Sequence, residues 1–384
     1  MGESVKTMKR LCIVTHDDWD EPTGVARILK EVAPRLSRFF QVTVLVTTSQ
    51  SGLKASALSP SLELIQIPCF RLPSSSIRIP SFSKLIKQHV RQSDLVFVQT
   101  VENAYALCLA RRFKKPFLLY FHGLDWENFV KSLRLGKLSF LVLPLMKSLW
   151  NYWYRRANHV CLPSQQFAIH LEQAAIKTPR SVVPVGIDPN RFLPAADKSQ
   201  LRASLGLPPS HYVIGYLGRQ APEKNLDFLL KIFSNFHRTN EGCRLLVVGS
   251  DYPEYKRQMK RHSGILAVGY QQDVLPYLQA MDVFCHPSPS ETSALVTMEA
   301  MACGVVPVAN AVGCMREYVR HGENGFLVDP IGDEKQFCNY LTQLMQDEVL
   351  REEMSRKARQ TMVNYFNWDD MTSQLRDVFD RCLV

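Results

Sequence analysis

Short apolar runs follow one another along the first half of the chain, each ending in polar residues. They lie at 10–17 (RLCIVTHD), 41–48 (QVTVLVTT), 94–100 (DLVFVQT), 115–123 (KPFLLYFHG) and 159–164 (HVCLPS). Uninterrupted apolar runs of this length indicate buried strands. Because stretches with helical spacing lie between them, the pattern predicts a parallel sheet with helices on both faces.

The pattern restarts after a stretch rich in Pro, Gly and Asp at 182–200. Strand-like runs separated by helical stretches then recur at 212–219, 243–250, 264–270, 282–288 and 304–310. The chain therefore reads as α/β, with two Rossmann-like halves and a cleft between them. We expect an N-terminal domain at 1–190, a C-terminal domain at 191–367, and an amphipathic helix at 368–384 that packs near the domain junction.

Composition narrows the class of protein only moderately. A chain of 384 residues suits two domains. The net charge of +10 favours an anionic partner, which leaves nucleic acid, an acidic membrane face and phosphate-bearing substrates as candidates. The ten cysteines include no CxxC pair and no zinc spacing, which disfavours a structural metal or disulfide framework and favours the cytosol. No run is long enough for a signal peptide or a membrane span.

Candidate chemistry lies on the loops that follow the predicted strands. Ligands of open α/β sheets bind outside the carboxyl ends of the strands. In LGRQAPEKN (217–225), Gly218 permits a tight turn, and Arg219 and Lys224 follow it. A guanidinium and an ammonium together suit a diphosphate. A solvated basic loop is the other interpretation of this pair.

Two glutamates lie eight positions apart in SPSETSALVTMEAM. Ser293 is predicted to cap a helix whose free amides and dipole would face an anion. Glu291 would face the same cleft, and Glu299 would lie more than one turn further along. Carboxylates accept hydrogen bonds from vicinal sugar hydroxyls. Alternatively, Glu291 caps the helix and Glu299 pairs with a nearby Arg or Lys.

These motifs together resemble a known family. The GR pair with Lys224, the E-x7-E spacing, MEAMACGVVPVANAVG and VRHGENGFLVDP (319–330) resemble retaining glycosyltransferases of the GT-B fold, the GT4-type group. The resemblance covers most of 210–330. It implies two parallel sheets facing across a cleft, a C-terminal helix that crosses back, and a nucleotide-diphosphate sugar as donor. It implies no cofactor and no obligatory metal.

The resemblance also implies roles for residues of the second half. Arg219 and Lys224 would bind the diphosphate, Glu299 the donor ribose, and Glu291 the sugar hydroxyls near the anomeric carbon. The start of the helix would assist through Ser293, Ala294, Leu295 and Val296. Where the family often has E-G-F-G-L, this chain has Glu291-Thr-Ser-Ala-Leu, which leaves the donor sugar open.

In the first half the resemblance is weaker. His122 resembles the family's N-domain histidine, which contacts the donor sugar and stabilises the reacting centre, so that His122 and Glu291 are the predicted catalytic residues. A structural histidine bonded to backbone is the alternative. Gly24 lies where a loop enters a helix, and close backbone approach to a phosphate or sugar needs such a glycine. Phosphate oxygens can take the acceptor proton, so no protein base is assigned.

Segment 131–157 combines six basic residues with aromatics and leucines and contains no acid. This composition fits a helix lying in a membrane surface. A buried N-domain helix with snorkelling lysines fits equally well, and Pro144 is predicted to break any single long helix. The predicted membrane-binding residues are Lys131, Arg134, Lys137, Lys147, Trp150, Trp153, Arg155 and Arg156.

The sequence thus predicts transfer of a sugar from a nucleotide sugar to an acceptor hydroxyl, on a membrane lipid or lipid-linked glycan. The enzyme would be cytoplasmic or peripheral on an anionic membrane face. A soluble transferase acting on a sugar phosphate or polysaccharide is the alternative within the family. A basic anion- or nucleic-acid-binding protein would explain the charge, but we find no stacking platform or recognition helix, and so expect no nucleic-acid partner. No GxGxxG motif supports a dehydrogenase.

Overall fold

The chain divides into two compact units. The computed structural model describes residues 8–16, 19–20, 23–48, 54–71, 78–80, 84–123, 126, 130, 139–220, 224–250 and 253–383. Unit 1 comprises Met1–Gly186 and Trp368–Val384, and unit 2 comprises Ile187–Asn367. The sequence analysis placed the boundary at residue 190, and the chain divides after Gly186.

Unit 1 is built on a mostly parallel sheet. Its described strands are β1 (Arg10–Thr15), β2 (Gln41–Thr48), β3 (Lys54–Ser59), β4 (Leu62–Arg71), β5 (Arg78–Pro80), β6 (Leu95–Val98), β7 (Phe117–Tyr120), β8 (His159–Leu162) and β9 (Arg180–Val182). The order is β3-β4-β2-β1-β6-β7-β8-β9, with β5 on β4. The pairs β3–β4 and β4–β5 are antiparallel. The central strands β6, β7 and β8 are fully buried, as continuous apolar runs require.

Helices cover this sheet. They are α1 (Gly24–Leu36), α2 (Lys84–Gln92), α3 (Ala104–Arg112), α4 (Ser139–Tyr154), α5 (Gln165–Gln173) and the C-terminal helix (Trp368–Leu383). The C-terminal helix buries Met371, Leu375 and Phe379 in unit 1. The Phe379 ring lies 5.0 Å from that of Phe97 and 5.9 Å from that of Phe40. The last segment of the chain therefore completes the hydrophobic core of unit 1.

Helix α4 runs without interruption through Pro144, so the predicted break there is wrong. Proline removes one backbone donor and crowds the preceding turn. Here it lies near the start of a helix whose later turns bury Trp150, Trp153 and Tyr154. Burial of three large aromatic side chains offsets the cost of one lost hydrogen bond.

Unit 2 contains a parallel sheet whose described strands are β10 (Tyr212–Leu217), β11 (Cys243–Val248), β12 (Ile265–Gly269), β13 (Val283–His286), β14 (Val306–Asn310) and β15 (Phe326–Val328). Their order is β12-β11-β10-β13-β14-β15. From β10 the chain adds β11 and β12 towards one edge of the sheet, and from β13 it adds β14 and β15 towards the other edge. These two adjacent strands therefore form the topological switch point, where ligands of such sheets bind.

The described helices of unit 2 are α6 (Lys198–Ser204), α7 (Leu226–His237), α8 (Pro253–Lys260), α9 (Leu275–Ala280), α10 (Leu295–Ala302), α11 (Met315–Tyr318), α12 (Glu334–Gln346) and α13 (Glu348–Tyr365). Two hydrophobic clusters pack inside this unit, one around Met298 and Met301 and the other around Phe233 and Phe337. The two ends of unit 2 lie together, because the amide of Ile187 donates to the carbonyl of Phe366 at 3.0 Å.

Candidate functional site

The loops after β10 and β13 carry the predicted donor-binding residues. Ile214 pairs with Val283 in the sheet, so the two strands are neighbours and their carboxyl ends lie together. Arg219 and Lys224 follow β10, and Glu291 follows β13. Residues 221–223, between the two cations, lie outside the described part of the chain. The switch point of unit 2 thus collects the basic and acidic groups that the sequence singled out.

The backbone before Arg219 is tightly held. The Gly218 amide donates to the Val248 carbonyl at 3.0 Å, and the Tyr216 hydroxyl donates to the Arg219 carbonyl at 2.8 Å. Gly249 has φ +139°, and a Cβ there would lie 1.8 Å from the Gly218 carbonyl oxygen. The loop is therefore fixed by its neighbours, while the Arg219 side chain is exposed at the end of β10.

Glu291 accepts hydrogen bonds from two cationic or polar partners through one oxygen. Lys224 Nζ lies 2.6 Å from Glu291 Oε1, and His286 Nε2 lies 2.7 Å from the same atom. The Glu291 side chain is only 8% exposed. Because Oε1 takes both contacts, and none of the described residues donates to Oε2, the second oxygen remains able to accept from a ligand.

The surroundings of Glu291 keep its carboxylate ionised. Burial alone would raise the pKa of Glu291, but the neighbouring His286 and Lys224 outweigh it and lower the pKa from 4.5 to about 2. An ionised carboxylate only accepts hydrogen bonds, so His286 Nε2 must carry a proton and donate. At neutral pH this part of the site therefore holds a fixed negative charge beside the Lys224 ammonium.

His286 is held from its other side by helix α10. Thr297 Oγ1 lies 2.8 Å from His286 Nδ1, and both residues are buried. With Nε2 donating to Glu291, Nδ1 accepts the Thr297 hydroxyl proton in the neutral ring and donates to Thr297 Oγ1 in the imidazolium. The chain Thr297–His286–Glu291–Lys224 is thus a continuous polar network that orients the Glu291 carboxylate.

The segment between His286 and Glu291 is anchored by two asparagines and a glycine. Asn225 Nδ2 donates to the Pro287 carbonyl at 3.3 Å, and Asn310 Nδ2 donates to the same oxygen at 2.7 Å. A Cβ on Gly313 would lie 1.7 Å from the Glu291 carbonyl oxygen. The backbone of Glu291 therefore rests directly on Gly313, which explains why a glycine is needed there.

Helix α10 starts one residue later than predicted, so Ser293 is not its N-cap. Ala294 occupies that position with a left-handed φ of +43°, and its side chain makes no capping hydrogen bond. A left-handed residue cannot belong to a right-handed helix, so the helix begins only at Leu295. The first amides of α10, those of Leu295 and Val296, precede its first internal hydrogen bond, from Thr297 N to Ala294 O at 2.9 Å.

Glu299 lies in the middle of α10 and is 1% exposed. Its charge adds to burial in raising the pKa of Cys303 to about 12. The carboxylate is therefore buried inside unit 2. The ribose-binding role of Glu299 stays a prediction.

His122 and Gly24 belong to unit 1. His122 follows β7, and its Nε2 lies 2.9 Å from Gln99 Oε1 at the end of β6. His16, after β1, contacts Thr100 at 2.8 Å. A polar cluster thus lies at the carboxyl ends of β1, β6 and β7. Gly24 is the first residue of α1, after the capping residue Thr23, and no protein atom lies within 4 Å of where its Cβ would be.

The predicted membrane segment is only partly described, because Lys131, Arg134 and Lys137 lie outside the described residues. Trp150 and Trp153 are 2% and 4% exposed and pack in the core of unit 1. Their prediction as membrane-binding residues is therefore wrong, because their side of α4 faces the sheet. The other predicted side chains, Lys147, Arg155 and Arg156, are exposed.

Sequence reasoning missed His286, Thr297 and Asn310 in unit 2, and Gln99 in unit 1. His286 and Asn310 are the last residues of β13 and β14, and Gln99 directly follows β6. The strand-end rule could have identified these three, had it been applied to the final residue of each strand as well as to the loop. Thr297 carried no such signal, since only folding places it beside His286.

Comparison with known families decides the class of protein. The profile described as "Glycosyl transferases group 1" matches residues 197–361, and the profile described as "Glycosyltransferase Family 4" matches residues 22–191. Together they account for most of both units. The chain belongs to the GT4-type glycosyltransferases. The motifs around Arg219, Lys224, Glu291 and Glu299 lie inside the first matched region.

The chain is similar to glycosyltransferases whose names specify different acceptors. It is 32% identical over 224 residues to the D-inositol 3-phosphate glycosyltransferase of Stackebrandtia nassauensis, covering 53% of this chain and 50% of the relative. It is 27% identical over 230 residues to the Escherichia coli UDP-Gal:alpha-D-GlcNAc-diphosphoundecaprenol alpha-1,3-galactosyltransferase, covering 57% of this chain and 59% of the relative. The matched region thus spans only about half the length of these relatives.

The fold of the glycosyltransferase matches solved structures over nearly its whole length. The crystal structure of Anabaena Alr3699/HepE in complex with UDP-glucose has a TM-score of 0.75 at 21% identity, covering 97% of this chain and 99% of the other. The predicted GT-B class, with two parallel-sheet α/β domains, is confirmed. Within the described residues, no helix is both long and apolar enough to span a bilayer. Nor do three His, Cys, Asp or Glu side chains of the described part cluster as a metal site.

Proposed function

We propose that this glycosyltransferase moves a sugar, with retention of anomeric configuration, from a nucleotide-diphosphate sugar to an acceptor hydroxyl. The observation that carries the proposal is the polar network of Lys224, Glu291 and His286 at the switch point of unit 2. It sets an ammonium and an ionised carboxylate side by side, next to the first amides of α10. The Anabaena structure of the same fold, which contains UDP-glucose, supports a nucleotide sugar as donor.

The donor diphosphate would be neutralised by protein groups alone. Arg219 offers a bidentate fork, Lys224 a point charge and α10 its unbonded amides. As the bond between the anomeric carbon and the diphosphate breaks, negative charge builds on the leaving oxygens. Cations and amides that are fixed in advance stabilise this charge without reorganisation. In this proposal Arg219, Lys224 and the α10 amides neutralise the diphosphate without a metal ion.

Glu291 would orient the sugar. Its Oε1 is engaged by Lys224 and His286, and Oε2 can accept from the sugar hydroxyls. In the transfer, the anomeric carbon loses its bond to the diphosphate and forms a bond to the acceptor oxygen on the same face. The acceptor proton passes to a phosphate oxygen of the leaving group. His122 would hydrogen-bond the donor sugar near the reacting centre.

For the acceptor we propose a membrane lipid or a lipid-linked glycan. The name of the Escherichia coli relative specifies a diphosphoundecaprenol-linked sugar, which supports this class. The inositol phosphate in the name of the Stackebrandtia relative favours a soluble sugar phosphate as second candidate. The nine cysteines that the structure describes are free thiols, which supports a reducing compartment such as the cytosol.

Nucleotide binding and transfer test the proposal separately. Thermal unfolding is followed with UDP, GDP and ADP, because a ligand that binds only the native state raises the melting temperature. One of the three should stabilise the enzyme, and Arg219→Ala and Lys224→Met should abolish that shift. Lys335→Ala, which removes an exposed cation of α12, is the matched control and should leave it unchanged.

Transfer is then measured with labelled donor sugars and two acceptor pools, extracted lipids and sugar phosphates. We expect a labelled lipid whose anomeric proton coupling matches that of the donor, and its loss in Glu291→Ala. Inversion of the anomeric centre would refute retention, and label found only in sugar phosphates would favour the second candidate. Absence of stabilisation by all three nucleotides would count against the nucleotide-sugar donor.

A further inference from the structure

One face of helix α4 in unit 1 is apolar and exposed. Leu141, Leu145 and Leu149 are 60%, 63% and 41% exposed, and Phe140 beside them is 67% exposed. Leucines at spacings of four lie in one row along a helix. A contiguous exposed apolar row is unusual for a soluble protein and marks an interaction surface. We call the row formed by Leu141, Leu145 and Leu149 the α4 face.

The helix cannot turn this row inward, because the side chains of its last two turns are anchored. Trp150, Trp153 and Tyr154 are at most 4% exposed. The Trp153 ring lies 6.4 Å from that of Phe117 on β7, and the Tyr154 ring lies 5.6 Å from that of Phe121. Turning the leucines toward the sheet would bring these three aromatic side chains into water. The α4 face is thus a permanent feature of unit 1.

Cations surround the C-terminal end of this row. The Arg156 guanidinium lies 3.6 Å above the centre of the Tyr152 ring, and Arg111 donates to the Tyr152 hydroxyl at 3.0 Å. Arg155 is tied to the Ala174 carbonyl at 2.7 Å, and Lys147 is exposed on α4 itself. Neither 104–123 nor 139–171 contains an Asp or Glu. The rim is therefore basic without a compensating acid in the segments that form it.

We propose that the α4 face docks on an anionic lipid bilayer. The leucines would enter the boundary between headgroups and acyl chains, and Arg155 and Arg156 would contact lipid phosphates. A helix with an apolar row and a basic rim binds membranes in this way. Arg111 and Arg156 brace Tyr152, whose ring and hydroxyl suit the water–membrane interface.

A second copy of the chain fits this face less well. Stable protein–protein interfaces bury roughly 1,200–2,000 Å² in total, more than one short row of three side chains supplies. A two-fold contact through α4 would also bring the arginine-rich rims of both copies together, and like charges repel. Anionic lipid supplies the opposite charge, which is why the bilayer is the better partner.

Docking would bring the enzyme to a lipid-borne acceptor. Only this purpose of the docking surface rests on the proposed function. The contact itself involves only unit 1 and needs no turnover. Binding and catalysis can therefore be measured apart.

The test is flotation of the full chain with vesicles of phosphatidylcholine, with and without phosphatidylglycerol, at low and high salt. We expect salt-sensitive binding to the anionic vesicles only. The double variant Leu141→Ser/Leu145→Ser should lower the partition coefficient about tenfold or more, because two apolar anchors are lost. Arg156→Gln should lower it about fivefold at low salt, the effect of one well-placed cation.

Leu58→Ser is the matched control, since Leu58 is a 48% exposed leucine of unit 1 on β3, away from α4. It should float like the unaltered chain. Equal binding of the double variant and the control would overturn the proposal. An absence of vesicle binding would also overturn the proposal. A concentration-dependent dimer that is lost in the double variant would do the same, because it would assign the α4 face to a second copy of the chain.

Turnover separates this inference from the proposed function. On a short-chain, water-soluble acceptor the double variant should match the unaltered enzyme, and on vesicle-embedded acceptor it should be slower. If the unaltered chain binds vesicles through α4 but transfers no sugar, the proposed function fails and the docking surface stands. If it transfers sugar but does not bind vesicles, the docking surface fails and the proposed function stands.

Discussion

At the scale of single residues, the site depends on how Glu291 keeps its charge inside unit 2. A buried carboxylate tends to take up a proton, and only close donors prevent this. Lys224 and His286 supply two contacts at 2.6 and 2.7 Å to one oxygen. In the proposed function, the same arrangement leaves the second oxygen to accept from the donor sugar.

This arrangement predicts a pH-dependent contribution to stability. The pKa of Glu291 is lowered from 4.5 to about 2, so its contribution is complete above the unfolded-state value and is lost as the pH falls towards 2. Between about pH 5.5 and 3.5, the unfolding free energy of the unaltered chain should fall by about 1 kcal/mol more than that of Glu291→Gln. Urea unfolding at both pH values measures this difference, and equal losses in the two proteins would contradict it.

A second residue-scale prediction concerns Gly313. Gly313 and Gly322 have positive φ angles of +50° and +79°, so alanine is strained at both. Only at Gly313 would the new Cβ meet another atom, the Glu291 carbonyl oxygen at 1.7 Å, whereas no atom lies within 4 Å at Gly322. We expect Gly313→Ala to cost about 3 kcal/mol or more, with loss of activity, and Gly322→Ala about 1–2 kcal/mol with activity kept.

Urea unfolding and a transfer assay on both variants check this pair. Because the backbone strain is shared, the difference between them isolates the contact with Glu291. Similar losses of stability in the two variants would mean that the Glu291 loop can move aside.

At the scale of elements, the entry to α10 determines which amides face the site. Ala294 adopts φ +43° and ψ +48°, and the helix starts directly after it. For Ala294→Gly, relief of left-handed strain is opposed by a lost buried methyl group and a more flexible unfolded chain, so stability should change by no more than about 1 kcal/mol.

Ala294→Val should instead cost about 2–4 kcal/mol, because a β-branched residue is poorly tolerated at positive φ and the position is 8% exposed. Thermal unfolding with and without nucleotide checks both variants. A valine variant that is as stable and binds as well as the alanine chain would show that α10 can begin elsewhere.

At the scale of the whole molecule, the chain leaves unit 1, forms unit 2 and returns. Both hydrophobic clusters of unit 2 lie within 187–367, and its ends meet where Ile187 pairs with Asn367. Unit 1, in contrast, needs the last helix, whose Phe379 is fully buried against Phe97.

We therefore predict that residues 187–367 fold as an independent fragment with a cooperative transition. The fragment should keep most of the nucleotide-induced stabilisation of the intact chain, and Lys224→Met should remove it. Calorimetry of the fragment, the full chain and the variant makes the comparison. An unfolded fragment would contradict independent folding, and a folded fragment that is not stabilised by nucleotide would contradict the assignment of donor binding to unit 2.

The sequence by itself determined the elements with the strongest local signal. Continuous apolar runs such as 212–219 and 243–250 became the central parallel strands, because a strand buried on both faces must be apolar throughout. The amphipathic segment at 368–383 became the last helix. Strands β3, β4, β5, β9 and β15 were missed. Of these, β3 (KASALS) and β5 (RIP) are short and partly polar, and they form by pairing with β4.

Tertiary structure alone decided what depends on contacts between distant segments. Residue spacing indicated a role for Glu291 and Lys224, but only the adjacency of β10 and β13 joins them to each other, and only α10 brings Thr297 to His286. Likewise, composition marked segment 131–157 as a membrane or core helix without choosing between them. Packing against the sheet buries Trp150 and Trp153 and leaves Leu141 and Leu145 in water, because the side chains that α4 buries lie in its last two turns.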